Sequence, residues 1–399
     1  MSVKLCKYKT IPLMNMKQLT QTNAKTLGKW AYLAIEKHFY KTIKYENDVL
    51  KDQDRENLHQ MRVGMRRLRS AASGFAPALE LPKPAEEKKI GQIARTLGEL
   101  RDLDVLMAAL TDQYAPISPK KERATLDAAL ATLAKQRSTI FKKIKKTLKS
   151  DRYFHFKESL NQWLKEPTYK PLAVIDIYHI LPDLLLPEVN RFFLQAGWMV
   201  GATVTPGDAG FHIELDRQKV EQELGEKGRH LHDLRKQAKR VRYQMSLFTE
   251  FYGPDYQAYL ADMKMIQDIL GYIQDTEVLG ATLTNVLGEN FDLILPNLAA
   301  QLAATRYQLW QDWAPLRDRY LQPETRQGFR LTLLDPNSAI ANHRQHPGAD
   351  ISLPNNHNLE QVTAAENTPP EESLEAKTGN ADPGDRPLDR SDEKHPHEN

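Results

Sequence analysis

The sequence predicts an all-α protein made of two related halves, and three observations carry that prediction. Apolar residues recur at helical spacing through most of the chain, with few alternating strand patterns. A histidine followed by a ladder of basic residues occurs twice, as Leu58-His59-Gln60-Met61-Arg62-Val63-Gly64-Met65-Arg66-Arg67-Leu68-Arg69 and as Leu231-His232-Asp233-Leu234-Arg235-Lys236-Gln237-Ala238-Lys239-Arg240-Val241-Arg242. The same offset of 173 residues maps Leu97-Gly98 onto Leu270-Gly271, Asp102 onto Asp275, Asp104 onto Glu277 and Val105-Leu106 onto Val278-Leu279. Chance can make two amphipathic helices alike, but it seldom adds a second helix in register. A duplication of this kind implies two helical bundles related by approximate two-fold symmetry, with the ladder helices in equivalent places.

In chain order, helices are predicted at 19–40, 54–79, 85–113, 119–150 and 152–165, then at 182–200, 216–252, 254–287 and 295–320. Pro82 and Pro84 separate two helices of the first half, as Gly253-Pro254 does in the second. Residues 201–210, with glycines at both ends and Pro206-Gly207 inside, read as a loop. A weaker match, offset by 169, pairs Gln136-Arg137-Ser138-Thr139-Ile140-Phe141 with Thr305-Arg306-Tyr307-Gln308-Leu309-Trp310. The domain reading is an N-terminal extension at 1–18, a body at 19–321 with halves at about 19–170 and 171–321, and a tail at 322–399.

Composition bounds the function. The net charge of +3 conceals an asymmetry: residues 335–399 carry −8 and the rest of the chain +11. The acidic tail, nearly free of aromatics, is expected to be disordered. Cys6 is the only cysteine, which excludes an intrachain disulfide and fits a reducing, cytoplasmic setting. The basic N-terminus has no long apolar stretch, so neither signal peptide nor anchor is expected. The most apolar segment, 171–204, is interrupted by Asp176, Asp183, Glu188, Asn190 and Arg191, against a membrane span.

The ladders carry the candidate chemistry. At about 100° per residue, His59, Arg62, Arg66 and Arg69 share a sector of about 80°, while Met61, Met65, Leu68 and Ala72 form an adjoining apolar face. His232, Arg235, Lys239 and Arg242 repeat the cationic face, and Leu234, Ala238, Val241 and Met245 the apolar one. The competing reading is a solvated helix face, but solvated faces usually mix signs for i,i+4 pairing. Arg62, Arg66 and Arg69 have no acidic residue within their ladder. Two matched ridges suit something long and negatively charged.

These motifs resemble the CHAD family, named for a histidine-bearing α-helical domain. The resemblance rests on the first ladder, on Leu97-Gly98-Glu99-Leu100-Arg101-Asp102-Leu103-Asp104-Val105-Leu106 and on His232 to Tyr243, and it covers most of 19–321. It implies two four-helix bundles around a basic central channel or groove, binding of inorganic polyphosphate and location on polyphosphate granules. Some relatives carry a fused triphosphatase barrel. No strand-rich segment here suggests one, so the resemblance supplies a binding module. The extra sequence at 201–225 and the acidic tail depart from a minimal member.

Polyphosphate carries about one charge per unit and has no bases to read, so its binder needs a track of cations. Arginine grips phosphate bidentately, while Lys239 in place of Arg66 keeps the charge without the fork. His59 and His232 read as phosphate donors whose imidazolium a polyanion favours. Two alternatives stand beside that reading: a metal pair, which lacks further ligands at helical spacing, and a buried structural histidine. Arg67 and Arg240 lie off the stripe, at the rim of the site or in solvent. Lys142, Lys145, Lys146 and Lys149 form another cationic stripe, either solvated or extending the track. Arg137 and Arg306, nearer apolar faces, require an internal carboxylate or a bound anion. Asp102, Asp104, Asp275 and Glu277 are expected to pair with the ladders.

No cofactor is expected, and no Gly-rich phosphate loop, nucleophile elbow or two-histidine metalloprotease motif supports an enzyme. The leading function is non-enzymatic polyphosphate binding. Nucleic-acid binding is the alternative partner class, although the ladders lack interleaved aromatics except Tyr243. A phosphohydrolase and a scaffold recruiting partners through the tail complete the set.

Overall fold

The computed structural model describes residues 25–202 and 215–336. The predicted extension 1–18, the start of the first predicted helix, residues 203–214, which include most of the predicted loop at 201–210, and the tail beyond 336 lie outside the described residues. The first half contains α1 (Leu27–Lys44), α2 (Glu46–Lys51), α3 (Arg55–Gly74), α4 (Glu87–Ala108), α5 (Lys120–Leu148) and α6 (Asp151–Lys165). The second contains α7 (Ile177–Phe193), α8 (Arg217–Met245), α9 (Pro254–Leu287), α10 (Phe291–Ile294), α11 (Pro296–Leu321) and α12 (Pro323–Leu334). Among the described residues β pairing is confined to two isolated bridges, one of which joins Thr26 to Asp176. The protein is all-helical.

Local chemistry sets the helix starts. Asp54 accepts from the backbone N–H of Glu56 at 2.8 Å and so caps α3, and Asp216 does the same for α8 through Lys219 at 2.9 Å. Thr26 and Asp176 cap α1 and α7, so their bridge brings the first long helix of each half together. Pro254 opens α9, and Gly288 closes it in the left-handed region at φ 77°.

The short α2 and α10 fall outside the predicted helices, and three further elements differ from expectation. α7 begins at Ile177 because Asp176 caps it, which places Pro182 and Pro187 inside the helix, and it ends at Phe193. α8 stops at Met245, where the chain turns to bury Phe248 and Phe251. α12 occupies the beginning of what the sequence suggested was tail, because Phe329 and Leu333 give it an apolar face that is fully buried.

Neighbours recur in order. α1 packs on α3, α3 on α4 and α4 on α5; correspondingly, α7 packs on α8, α8 on α9 and α9 on α11. Met61, Met65 and Leu68 are fully buried, as are Leu234, Ala238 and Met245, and each large apolar side chain contributes about 2 kcal/mol on burial. One core runs continuously through both halves, including Phe39, Met61, Val241 and Trp313. A smaller core joins the far ends of α4, α5, α9 and α11 through Leu103, Leu133, Leu283 and Leu302. There Glu122 of α5 accepts from the backbone N–H groups of Asn297 at 2.9 Å and Leu298 at 3.3 Å. A first-half carboxylate thus satisfies the free donors that begin α11.

Candidate functional site

The ladder helices α3 and α8 touch. Phe75 and Phe248, related by the 173-residue offset, meet just beyond their C-terminal ends with ring centroids 5.2 Å apart. A Cβ added to Gly74 would lie 3.0 Å from Leu247 Cδ1, so the approach is close.

Each ladder reaches sideways onto the next helix of its own half. Arg62 Nη2 donates to Asp102 Oδ1 at 3.0 Å, and Arg235 Nη2 lies 4.0 Å from Asp275 Oδ1. Both arginine side chains are 26% exposed, so the repeat extends to their environments. The arms pass over glycine. A Cβ on Gly98 would sit 3.5 Å from Arg62 Nε, and one on Gly271 would sit 3.3 Å from Arg235 Nε. The repeated Leu-Gly pair marked the duplication in the sequence, and in the structure its glycine is the floor beneath the arginine. At the next rung, Arg69 pairs with Glu87, whereas Arg242 donates to Gln267 Oε1 at 3.1 Å.

Arg66 and Lys239 hold the middle rung and also correspond by the 173-residue offset. Among the described residues no carboxylate forms an ion pair with either. Arg66 lies over the Tyr243 ring at 4.7 Å, and Arg242 lies over the same ring at 5.5 Å. Lys239 is half-buried. Burial above all, then the charges of Arg66, Arg62 and Arg235, push its ammonium down to about 8. Cations of both halves therefore converge where the ladders meet. Four cations meet there against only Asp102 and Asp275, so positive charge is in excess and holds potential for an anion.

The histidines part company. His59 is only 4% exposed, in keeping with the buried structural alternative. His232 is half-buried, its Nδ1–H donates to Gln274 Oε1 at 2.9 Å, and it lines an open cavity of about 490 Å³ with Gly228, Arg229 and Glu277. The difference arises beside them. In the first half Arg137 donates to Asp52 at 2.6 and 2.8 Å and to Asp104 at 2.7 Å, while Arg55 approaches Asp104 at 3.5 Å. The positions corresponding to Asp52 and Arg55 in the second half are Gly225 and Gly228. A Cβ on Gly225 would meet nothing within 4 Å.

Other sequence candidates lie elsewhere. Arg137 and Arg306 are drawn into internal ion pairs, Arg306 through Glu221 at 2.6 Å, so neither requires a bound anion. Asp104 serves Arg137 rather than a ladder, which corrects its expected pairing. Burial, with Glu221, raises the Glu277 carboxyl. Arg67 is exposed toward α1, where burial, Arg67, Lys37 and Lys41 push His38 down to about 4. Arg240 faces α7, 3.9 Å from Glu188. Lys142 and Lys146 are exposed on α5 and Lys149 just past its end, and Lys145 lies over Phe141 at 4.4 Å. Among the described residues no ion pair or ring contact joins these four lysines to the ladders. A larger open cavity of about 1020 Å³ is lined by Glu80, Glu86, Glu87 and Glu166 among others, the wrong sign for a polyanion.

Among the described residues no helix is long and apolar enough to cross a membrane, and no group of three or more His, Cys, Asp or Glu residues is placed to hold a metal ion.

The family model described as the CHAD domain matches residues 33–284, more than half of the chain. Two solved structures match part of this chain. One is the crystal structure of the CHAD domain from the plant Ricinus communis, at 23% identity and a TM-score of 0.49, covering 77% of this chain and 91% of that one. The other is PptA from Streptomyces chartreusis, at 14% identity and a TM-score of 0.46, covering 72% of this chain and 99% of that one. No curated protein matches.

Proposed function

The chain belongs to the CHAD domain family, and from that premise we propose that it binds inorganic polyphosphate without catalysing its turnover. One observation carries the reading: Arg66 and Lys239, equivalent in the repeat and each without a carboxylate ion pair among the described residues, meet the Arg62 and Arg235 side chains in one half-buried cluster. A phosphate chain laid along α3 and α8 would replace their mutual repulsion with charge-assisted hydrogen bonds. Arg62 and Arg235, already extended over Gly98 and Gly271, need little reordering to share their forks with it. His232, Arg69 and Arg242 lengthen the track.

The matching order of neighbours and the Phe75–Phe248 contact support an architecture of two pseudo-symmetric four-helix bundles, with the basic groove along their junction. Association with polyphosphate granules in the cytoplasm follows as the expected setting. Duplex or single-stranded nucleic acid is the alternative ligand, since it shares the phosphate backbone.

Titrating long-chain polyphosphate, single-stranded DNA and duplex DNA across a salt series tests the reading. Polyphosphate is expected to bind tightest at physiological salt, with a loss of about 100-fold for Arg62→Ala combined with Arg235→Ala. Equal affinity for the three ligands would contradict specificity for polyphosphate. Phosphate release during incubation with magnesium would contradict the non-enzymatic assignment.

A further inference from the structure

We propose that Tyr243 is a positioning residue of the groove: its ring carries the guanidinium groups of Arg66 and Arg242, and so aims Arg66, from the opposite half, at the bound polyphosphate. The inference rests on the binding reading above. It concerns a side chain outside the cationic stripe, and one that carries no charge in its phenol form.

The geometry separates Arg66 from its neighbours. Arg62 is steered by Asp102, Arg235 lies near Asp275, and Arg69 is steered by Glu87. Among the described residues no carboxylate bonds Arg66, and its Nε is buried without a hydrogen-bond partner. What lies beside its guanidinium is the Tyr243 ring, 4.7 Å from Cζ to centroid. A carboxylate in that place would fix the arm equally well, but it would neutralise the charge and repel phosphate. An aromatic face holds a guanidinium through its quadrupole and leaves the charge to the ligand. Arg242, 5.5 Å from the same centroid, takes part in the same arrangement.

Two consequences follow. Because Tyr243 belongs to α8 and Arg66 to α3, the contact ties the two ladders together at the middle rung and sets their spacing. The ring is also engaged by cations, so a nucleobase would have to displace a guanidinium before stacking on it. The one aromatic at the end of the second ladder thus favours a ligand without bases.

The test is a double-mutant cycle on the full chain, read by polyphosphate affinity with circular dichroism and thermal unfolding as controls for folding. Tyr243→Leu should weaken binding about five- to thirty-fold. Tyr243→Phe, which keeps the aromatic face, should stay within about two-fold of the parent. In an Arg66→Ala background, Tyr243→Leu should cost clearly less than in the parent, since the nearer arm it positions is gone and only Arg242 remains on the ring. Arg66→Lys, which leaves Tyr243 untouched, should weaken binding several-fold because an ammonium has no planar fork.

Parent-like affinity for Tyr243→Leu would overturn the proposal. So would a Phe variant as weak as the Leu variant, which would assign the effect to the hydroxyl, or an undiminished cost in the Arg66→Ala background. If Arg66→Ala itself leaves polyphosphate affinity intact, the binding reading fails; if it weakens binding while Tyr243→Leu does not, only the positioning role fails.

Discussion

The two histidine ends of the ladders derive from one repeat yet differ in what surrounds them. In the first half, Asp52, Arg55, Asp104 and Arg137 form a network in which Arg55 stands one helical turn before His59, which is buried. In the second, glycines replace Asp52 and Arg55, and His232 opens onto a cavity of about 490 Å³. Duplication reproduced the ladder, but the neighbouring positions decide whether its histidine supports the fold or meets solvent. The first half specialises in stability at that end, the second in access.

The largest difference is expected from the internal arginines. Arg137→Met should destabilise the protein by about 3 kcal/mol, because it leaves Asp104, whose side chain is 1% exposed, facing only the more distant Arg55. Arg306→Met should cost about 1 kcal/mol, since Glu221 is 34% exposed and water can solvate it. Denaturant unfolding of the two variants compares the halves directly, and polyphosphate affinity should change little in either. Equal costs would remove the distinction between a structural end and an open one.

The histidines should divide stability from binding. His59→Ala is expected to lower stability by about 2 kcal/mol through the cavity it leaves, with affinity nearly unchanged. His232→Ala should weaken polyphosphate binding by about three-fold at low salt and leave unfolding alone. The reverse pattern, seen by titration and thermal melts, would exchange the roles assigned to the two ends.

A smaller effect concerns pH. Lys239 titrates near 8 in the free protein because of burial and the neighbouring Arg66, Arg62 and Arg235. A polyanion favours its protonated form, so binding takes up protons and should weaken by up to about ten-fold as pH rises from 7 to 9. Lys239→Met should bind more weakly at pH 7 and show a flatter profile. Stability has the opposite slope. The folded value lies below the ordinary 10.5, so the unfolded chain binds more protons between about 8 and 10.5, and the Lys239 contribution grows more favourable as pH rises through that window. Below it the buried charge is a cost, and Lys239→Met should be more stable by about 1 kcal/mol. Identical pH profiles for parent and variant would contradict this account.

Much of the frame was legible in the residues themselves. The helical period identified the faces that the fold buries, from Met61, Met65, Leu68 and Ala72 in one ladder to Leu234, Ala238, Val241 and Met245 in the other. The in-register Asp102 and Asp275 foretold their arginine neighbours. Period specifies a face, however, and not what lies opposite it. Arg137 finds its carboxylates 33 and 85 residues away along the chain, and Arg306 finds Glu221 85 residues away, which spacing within a helix does not reveal. The same limit left the burial of His59 as one alternative among several and hid the contact between Tyr243 and Arg66. α12 was missed because its apolar face is short and adjoins an acidic segment.

The central claim is that charge placed on the shared stripe, rather than net charge, binds the polyanion. Its most direct test compares two doubly substituted proteins that lose the same formal charge: Arg66→Ala with Lys239→Ala on the stripe, and Arg67→Ala with Arg240→Ala off it. Polyphosphate titration at physiological salt should show a loss of about 100-fold for the first and less than about three-fold for the second. Equal losses would contradict the account, because bulk attraction by a basic surface would then suffice.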